Sequence, residues 1–210
     1  MKSVIAGIFF GCLMLLGWGS LDFFNDGPRT IAFVGGVILS FFASGKSTGM
    51  SRGKEQGEPH FLFTLLVGLT VLTAFLLPFF ASRKLTVIAI PTVFRYVGAI
   101  LLITSLAFRV IAIRTLKRQF SIYVAIQENH QLITTGLYSR IRHPIYLGAV
   151  LSLLGMELVF PTLLGFIFVA IYSILLIHRM AREETLLLKH FGSAYEEYLS
   201  KSFRLIPKVY

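Results

Sequence analysis

Long apolar runs alternate with short polar segments along this chain. Apolar runs of about 17 to 25 residues match the hydrocarbon core of a bilayer, which is about 30 Å thick. The pattern therefore predicts an all-α, polytopic transmembrane helix bundle of about six helices. The runs lie near residues 4–20, 30–44, 61–81, 87–112 and 144–178.

The last run is longer than one span needs and contains a break. Glu157 and Pro161 interrupt it, and a proline removes a backbone hydrogen bond inside a helix. Two helices joined around residues 157–161 would each be short for a span, but tilting or local thinning of the bilayer accommodates such lengths. We therefore predict that residues 144–178 form a helical hairpin, the last two of the six helices.

The distribution of Lys and Arg predicts the orientation. Loops 21–29 and 82–86 and the hairpin tip carry only Arg29, Arg83 and Lys84, whereas most of the 20 Lys and Arg residues lie on the other side. Because basic loops stay in the cytoplasm, both termini are predicted to be cytoplasmic. The polar loop 44–60 and the connector 113–142 then lie on that side as well, and so would an active site built on them.

Composition agrees with a membrane protein. The 210 residues are 55% hydrophobic and 14% charged, and the mean hydropathy is +0.76. The net charge of +10 flanks apolar runs, which favours anionic lipid headgroups over nucleic acid as the partner. We expect two regions: residues 1–112 with the first four helices, and residues 113–210 with the connector, the hairpin and an amphipathic C-terminal segment.

Two features point to other kinds of protein but are incomplete. The basic, apolar start resembles a signal peptide without a clear cleavage site, so we expect it to be retained. Gly45-Lys46-Ser47-Thr48 resembles the end of a phosphate-binding loop, but Ser40 stands where the first glycine is needed. Cys12 is the single cysteine, which excludes an intrachain disulfide and a cysteine-based zinc site.

A chemically rich stretch begins the last third of the chain. Residues 130–148 read HQLITTGLYSRIRHPIYLG. Pro144 suits the first turn of a helix, so His143 lies where free N–H groups and the positive end of the helix dipole gather. Such a place can hold a carboxylate, and Tyr138 and Tyr146 offer aromatic faces nearby. Because Tyr and Arg also anchor helices at headgroups, this stretch alone leaves a ligand site and an interfacial anchor open.

A second polar stretch follows the last apolar run. Residues 179–184 read RMAREE and lead into FGSAYEEY over residues 191–198. If the helix continues, Arg179 and Glu183 share one face. An exposed pair of this kind contributes only about a few tenths of a kcal/mol, but charges at membrane depth are costly and tend to serve substrates or ions. The neighbouring apolar hairpin favours a functional site.

Together, the two stretches resemble the isoprenylcysteine carboxyl methyltransferase family. The resemblance covers about residues 119–207 and rests on four motifs in the same order. These are LITTGLY at 132–138, RHPIYLG at 142–148, RMAREE at 179–184 and FGSAYEEY at 191–198. It implies a membrane-embedded methyltransferase that uses S-adenosyl-L-methionine and acts on the carboxylate of an isoprenylcysteine-like or other lipidic acceptor. It implies no metal, and it leaves the oligomeric state open.

The resemblance also implies roles for individual residues. Arg179 would hold the methyl acceptor, and Arg179 and Glu183 are the expected catalytic residues. Catalysis would consist of positioning and desolvation, because an acceptor carboxylate is already ionised at neutral pH. The expected cofactor-binding residues are Gln127, His130, Gln131, Leu132, Ile133, Tyr138, His143, Pro144, Ile145, Tyr146 and Glu183.

Three alternative functions stay open at this point. Phospholipid N-methyltransferases share the hairpin and the paired glutamates, but an amine acceptor would need a base. Membrane NADPH-dependent reductases of the sterol reductase type carry a related R-H-P-x-Y-x-G motif. Glu183-Glu184 without a neighbouring Asp-Glu-Arg pattern favours the methyltransferase. A structural bundle with interfacial anchors is the non-enzymatic alternative.

Overall fold

The structure, a computed structural model, describes residues 2–42, 55–56, 60–121, 123–126 and 130–208. Most of the loop 44–60, including Gly45-Lys46-Ser47-Thr48, lies outside these residues. Two strands of two residues each, β1 (Glu55–Gln56) and β2 (Ala125–Ile126), pair antiparallel. The helices are α1 (Lys2–Trp18), α2 (Gly27–Phe42), α3 (His60–Ser82), α4 (Thr92–Leu116), α5 (Pro144–Val159), α6 (Leu163–Phe191) and α7 (Ser193–Lys201).

The predicted all-α membrane bundle is confirmed. Six apolar helices, α1 to α6, lie at the predicted runs, and α5 and α6 form the predicted hairpin. In the described residues, α3, α4 and α6 are long and apolar enough to cross a membrane, and α1, α2 and α5 are shorter apolar helices. The helix α6 continues past residue 178 to Phe191, so Arg179 and Glu183 lie on one helix. The division between residues 112 and 113 remains a prediction.

The helices α4 and α5 pack with their backbones in close contact. A Cβ atom on Gly98 would lie 2.8 Å from the Gly155 carbonyl oxygen, and one on Gly155 would lie 2.6 Å from the Leu102 nitrogen. The hydroxyls of Ser105 and Ser152 also share a hydrogen bond of 2.9 Å between the two helices. Small residues allow this approach, which is how helices associate in lipid. The close packing fixes the start of α5 relative to α4.

The turn of the hairpin is held by a buried carboxyl group. Glu157 is fully buried, and its Oε1 accepts a hydrogen bond of 2.5 Å from the Thr162 backbone nitrogen. Thr162 Oγ1 in turn accepts from Gly165 N, which caps the start of α6. Glu157 and Pro161, which interrupt the apolar pattern in the sequence, therefore mark the turn between two helices.

The opposite end of the bundle is held by a second set of polar contacts. Arg95, in the first turn of α4, donates hydrogen bonds of 2.7 and 2.8 Å to the two carboxylate oxygens of Asp26, which precedes α2. Its Nε also donates to the Val159 carbonyl at the end of α5. The aromatic rings of Trp18, Phe23 and Phe160 pack beside this pair. These contacts join α1, α2, α4 and α5 far from the start of α5.

Candidate active site

A cavity of about 410 Å³ lies at the end of the bundle where α5 begins. Its walls come from α3, α4, α5, α6, α7 and the connector between α4 and α5. Volumes of about 300 to 1,000 Å³ are typical of small-molecule sites. One side is apolar, with Leu66, Val67 and Val71 of α3 and Leu176 of α6, whereas polar side chains of the connector, α5 and α6 border the rest.

Most of the residues expected at the site border this one cavity. The exceptions are Pro144, which is buried in the first turn of α5 and does not border the cavity, and Gln127, which lies outside the described residues. Residues from three separate segments therefore meet around a single space. Those that border it are His130, Gln131, Leu132, Ile133, Tyr138, His143, Ile145, Tyr146, Arg179 and Glu183.

Tyr146, Arg179 and Glu183 form a hydrogen-bonded group on the cavity wall. The Tyr146 hydroxyl donates to Glu183 Oε2 at 2.7 Å and accepts from Arg179 Nε at 2.9 Å. The guanidinium carbon of Arg179 also lies 5.7 Å from the centre of the Tyr146 ring. Arg179 is buried, with 6% of its surface exposed. The group holds a cation and a carboxylate together on an apolar helix, where burying either charge alone would be costly.

The two adjacent glutamates have different environments. The Glu183 side chain is 31% exposed and borders the cavity. Glu184 points away and is surrounded by cations: Arg142 Nε donates to its Oε1 at 2.9 Å, and Arg204 contacts both of its oxygens. Consecutive residues on a helix face different directions. Of the two, only Glu183 can contact a ligand in the cavity, whereas Glu184 binds Arg142 and Arg204 of the surrounding chain.

His143 connects the two glutamates with Tyr146. Its Nε2 lies 3.2 Å from Glu184 Oε1, and its Nδ1 lies 3.8 Å from Glu183 Oε2. Its ring stacks on the Tyr146 ring, with 5.4 Å between ring centres and 19° between planes. The imidazole is 4% exposed. It therefore fixes the orientation of the Tyr146 ring at the cavity wall.

His130, at the connector side of the cavity, packs in a group of aromatic rings whose other members do not border the cavity. The rings of His130 and Phe191 meet edge to face at 5.6 Å, and His190 lies 6.3 Å from His130. Burial, and then the neighbouring His190, lower the pKa of His130, so its ring is neutral at pH 7. Burial raises the pKa of Tyr138 above its usual range. Neutral aromatic surfaces of this kind suit the face of a nucleobase.

Arg109 of α4 also borders the cavity, and the sequence analysis missed it. Its Nε is buried and has no hydrogen-bond partner among the described residues. Its stem passes over Gly148, where an added Cβ would collide with Arg109 Cγ, and Tyr172 of α6 lies near its charge. A charge inside an apolar helix was the available signal, but only the fold shows that this arginine reaches the same cavity.

Metal ligands form no cluster in the described part of the chain, where no group of three or more His, Cys, Asp or Glu side chains is arranged to hold an ion. Two of the charged groups at the cavity, Arg179 and Glu183, are both hydrogen-bonded to the Tyr146 hydroxyl. The arrangement therefore offers a buried cation, a partly exposed carboxylate and neutral rings around one space.

Part of the chain that lines the cavity is similar to a known protein family. Residues 98–189 match the isoprenylcysteine carboxyl methyltransferase (ICMT) family. Over these residues, slightly less than half of its length, the chain is similar to that family. The match includes α5, most of α6 and the residues of the cavity that lie on them, and the resemblance expected from the motifs is thereby confirmed.

Individual relatives agree with the family and add one other activity. A probable protein-S-isoprenylcysteine O-methyltransferase of Oryza sativa subsp. indica is 31% identical over 54% of this chain and 61% of its own length. The protein-S-isoprenylcysteine O-methyltransferase of Schizosaccharomyces pombe is 35% identical over 44% of this chain and 40% of its own. A Delta(14)-sterol reductase of Mus musculus is 37% identical over 38% of this chain and 20% of its own. The chain thus spans less than two thirds of the length of each of these relatives.

Proposed function

We propose that this protein is a membrane-embedded methyltransferase that uses S-adenosyl-L-methionine and methylates the carboxylate of an isoprenylcysteine-like or other lipid-borne acceptor. The observation that carries the proposal is one cavity whose lining lies mostly within the residues that match the methyltransferase family, with a polar group at α5 and α6 and, outside the match, an apolar wall at α3. The two sides match the two chemically different substrates of such a reaction.

The residues at the polar side fit the methyl donor. S-adenosyl-L-methionine supplies an activated methyl group on a positively charged sulfur. Glu183 offers a carboxylate toward the cavity and balances positive charge there, with its position fixed by the Tyr146 hydroxyl. His130, whose ring is neutral, borders the cavity and offers its face for the adenine. Burial keeps Tyr138 protonated, since its pKa is raised, so it can donate a hydrogen bond. Gln131, Leu132 and Ile133 complete this side.

The cations and the apolar wall fit the acceptor. Arg179 is buried and oriented by Tyr146, and Arg109 brings a second guanidinium to the same cavity. A guanidinium binds a carboxylate through paired hydrogen bonds, which fixes the acceptor oxygen for an in-line displacement. The carboxylate is already ionised at neutral pH, so no residue has to remove a proton. Leu66, Val67 and Val71 of α3 would contact the hydrocarbon chain.

The orientation follows from charge. The connector, which borders the cavity, carries five basic residues, Arg114, Lys117, Arg118, Arg140 and Arg142, and basic loops remain in the cytoplasm. We therefore place both termini and the active site on the cytoplasmic side. A soluble donor would enter from the cytoplasm, and a lipidic acceptor would enter from the membrane.

One experiment separates this function from the reductase activity named for the mouse relative. Purified protein in detergent is titrated by calorimetry with S-adenosyl-L-methionine and, separately, with NADPH. The variants are Glu183→Gln and, as a matched control, Glu197→Gln, whose carboxylate is exposed and paired with Lys201. We expect wild type and the control to bind the methyl donor alike and Glu183→Gln to bind at least about tenfold more weakly.

The other outcomes are informative as well. Binding of NADPH without binding of the methyl donor would replace the proposal with a reductase. Binding of neither would overturn both enzymatic functions. If the donor binds, methyl transfer to N-acetyl-farnesylcysteine tests the acceptor, and transfer to phospholipid amines in its place would assign an N-methyltransferase.

A further inference from the structure

The chain that follows α7 returns to the start of α5. Residues 202–206, which we name the C-terminal strap, lie beside residues 140–143 with Ile141 and Phe203 paired in parallel. The backbone N–H groups just before α5, where the sequence suggested room for a ligand carboxylate, are therefore used by the strap. The three main-chain hydrogen bonds run from Phe203 N to Arg140 O (2.9 Å), from Arg142 N to Phe203 O (2.8 Å) and from His143 N to Arg204 O (3.1 Å).

Side chains of the strap and of the α5 start share one carboxylate. Arg204 Nε donates to Glu184 Oε1 at 3.1 Å, and its Nη2 donates to Glu184 Oε2. Arg142 donates to Glu184 Oε1 and, through Nη1, to the Ser202 carbonyl. Glu184 is 8% exposed. A buried carboxylate with two guanidinium partners is held firmly, because paired hydrogen bonds fix both of its oxygens.

His143 links the carboxylate of Glu184 to the residues of the cavity wall. Glu184 Oε1 lies 3.2 Å from His143 Nε2, and the His143 ring stacks on Tyr146, whose hydroxyl donates to Glu183. A continuous set of contacts thus runs from Arg204, which does not border the cavity, to His143, Tyr146 and Glu183, which do. Loss of Arg204 would free one oxygen of Glu184 and loosen the imidazole that orients Tyr146.

We propose that Arg204 is a positioning residue for the methyl-donor site and acts through Glu184 and His143 on Tyr146 and Glu183. The proposal rests on the function proposed above and extends it to a part of the chain beyond the family match, which ends at residue 189. The C-terminal strap is on this account a component of the site. A strap that only stabilised the fold would leave donor affinity of the folded protein unchanged.

A double-mutant cycle tests this coupling. The dissociation constant for S-adenosyl-L-methionine is measured by calorimetry for wild type, Arg204→Gln, Glu184→Gln and the double variant, with thermal unfolding recorded on the same samples. We expect Arg204→Gln to raise the dissociation constant about tenfold. Because Arg204 acts through Glu184, the double variant should bind no more weakly than Glu184→Gln alone.

Two further variants sharpen the cycle. Arg204→Lys should restore part of the affinity, since lysine keeps the charge but not the planar pair of donors. Lys201→Gln removes an exposed cation from the end of α7 that is paired with Glu197, and it should bind the donor as wild type does.

The outcomes separate this inference from the function on which it rests. Folded Arg204→Gln with wild-type affinity, or effects of the two single variants that multiply in the double variant, would overturn the inference and leave the methyltransferase intact. Wild type that does not bind the methyl donor would overturn both. Should Arg204→Gln fail to fold, Arg204→Lys against Lys201→Gln decides the question, because equal affinities would refute a role of Arg204 in donor binding.

Discussion

Two ionic clusters hold the two ends of this bundle, and they are built differently. At one end, Asp26 receives paired hydrogen bonds from Arg95 and lies near Arg29. At the other end, Glu184 accepts hydrogen bonds from Arg142 and Arg204 and contacts His143. The neighbouring Glu183 faces a cavity beside Arg179. The first cluster uses its one carboxylate for contacts within the chain. The second uses one of its two carboxylates in this way and presents the other to the cavity.

The difference shows how a charged cluster in a membrane protein can be assigned a role. Burial and Arg–carboxylate pairing occur in both, so neither feature identifies a functional site by itself. Both clusters also border a cavity. What distinguishes the second is Glu183, whose side chain is 31% exposed, whereas both oxygens of Asp26 accept hydrogen bonds from Arg95 and its side chain is 18% exposed. Substitutions at the first cluster should therefore change stability, and those at the second should change binding and turnover.

The largest effect is expected for Arg179→Lys. A lysine cannot both contact the Tyr146 hydroxyl and offer a planar pair of donors to a carboxylate, so kcat/KM for methyl transfer should fall about 100-fold. Steady-state kinetics of wild type, Arg179→Lys and the exposed neighbour Arg182→Lys would measure this, and an equal loss for Arg182→Lys would contradict a specific role for Arg179.

At the first cluster, Asp26→Asn should lower stability and leave activity unchanged. The side chains of Asp26 and Arg95 are 18% and 22% exposed, so loss of the pair should lower the free energy of unfolding by about 2 kcal/mol. Activity per folded molecule should be unchanged. Thermal unfolding in detergent, with Asp22→Asn as an exposed control, measures the loss, and a fall in kcat would show that the two ends are coupled.

The pH dependence of this difference has a definite sign. Burial raises the pKa of Asp26, but hydrogen bonds from Arg95 and Arg29 outweigh that effect and hold the pKa below its ordinary value. The stabilisation is therefore present above the ordinary pKa and is lost as the pH falls through the folded-state pKa. The stability difference between wild type and Asp26→Asn should shrink in acid, and a difference that grows there would contradict the assignment.

A smaller effect is expected for Gly148→Ala, which tests Arg109 at the cavity. The added methyl would collide with Arg109 Cγ and displace its guanidinium, so KM for the acceptor should rise about tenfold with donor affinity unchanged. Gly36→Ala is the matched control, because an added Cβ there meets no atom within 4 Å. An unchanged acceptor KM would remove Arg109 from acceptor binding.

The smallest effect concerns His130. Burial lowers its pKa in the folded protein, so the unfolded chain binds more protons and stability rises with pH in this range. Wild type should therefore lose some stability as the pH falls through about 6.5, and His130→Gln should lack this component. Parallel pH profiles of the unfolding temperature for the two proteins would contradict the prediction.

Sequence alone determined much of the fold because membrane helices are encoded locally. Apolar runs gave the positions of α1 to α6, and Pro144 marked the first turn of α5. The four-residue spacing placed Arg179 and Glu183 on one face of α6. These features depend on residues near one another in the chain and on the thickness of a bilayer, and the motif resemblance supplied the family region.

Only the tertiary structure decided how the parts meet. It placed Arg109 of α4 and Leu66 of α3 on the cavity, and it gave Glu183 and Glu184 separate environments. It also brought the C-terminal strap to the start of α5, although Arg142 and Ser202 are 60 residues apart. Contacts between such distant residues leave no periodic signal in a sequence. They arise from the packing of helices and from the return of the C-terminal strap to the bundle, and these do not depend on the spacing of neighbouring residues.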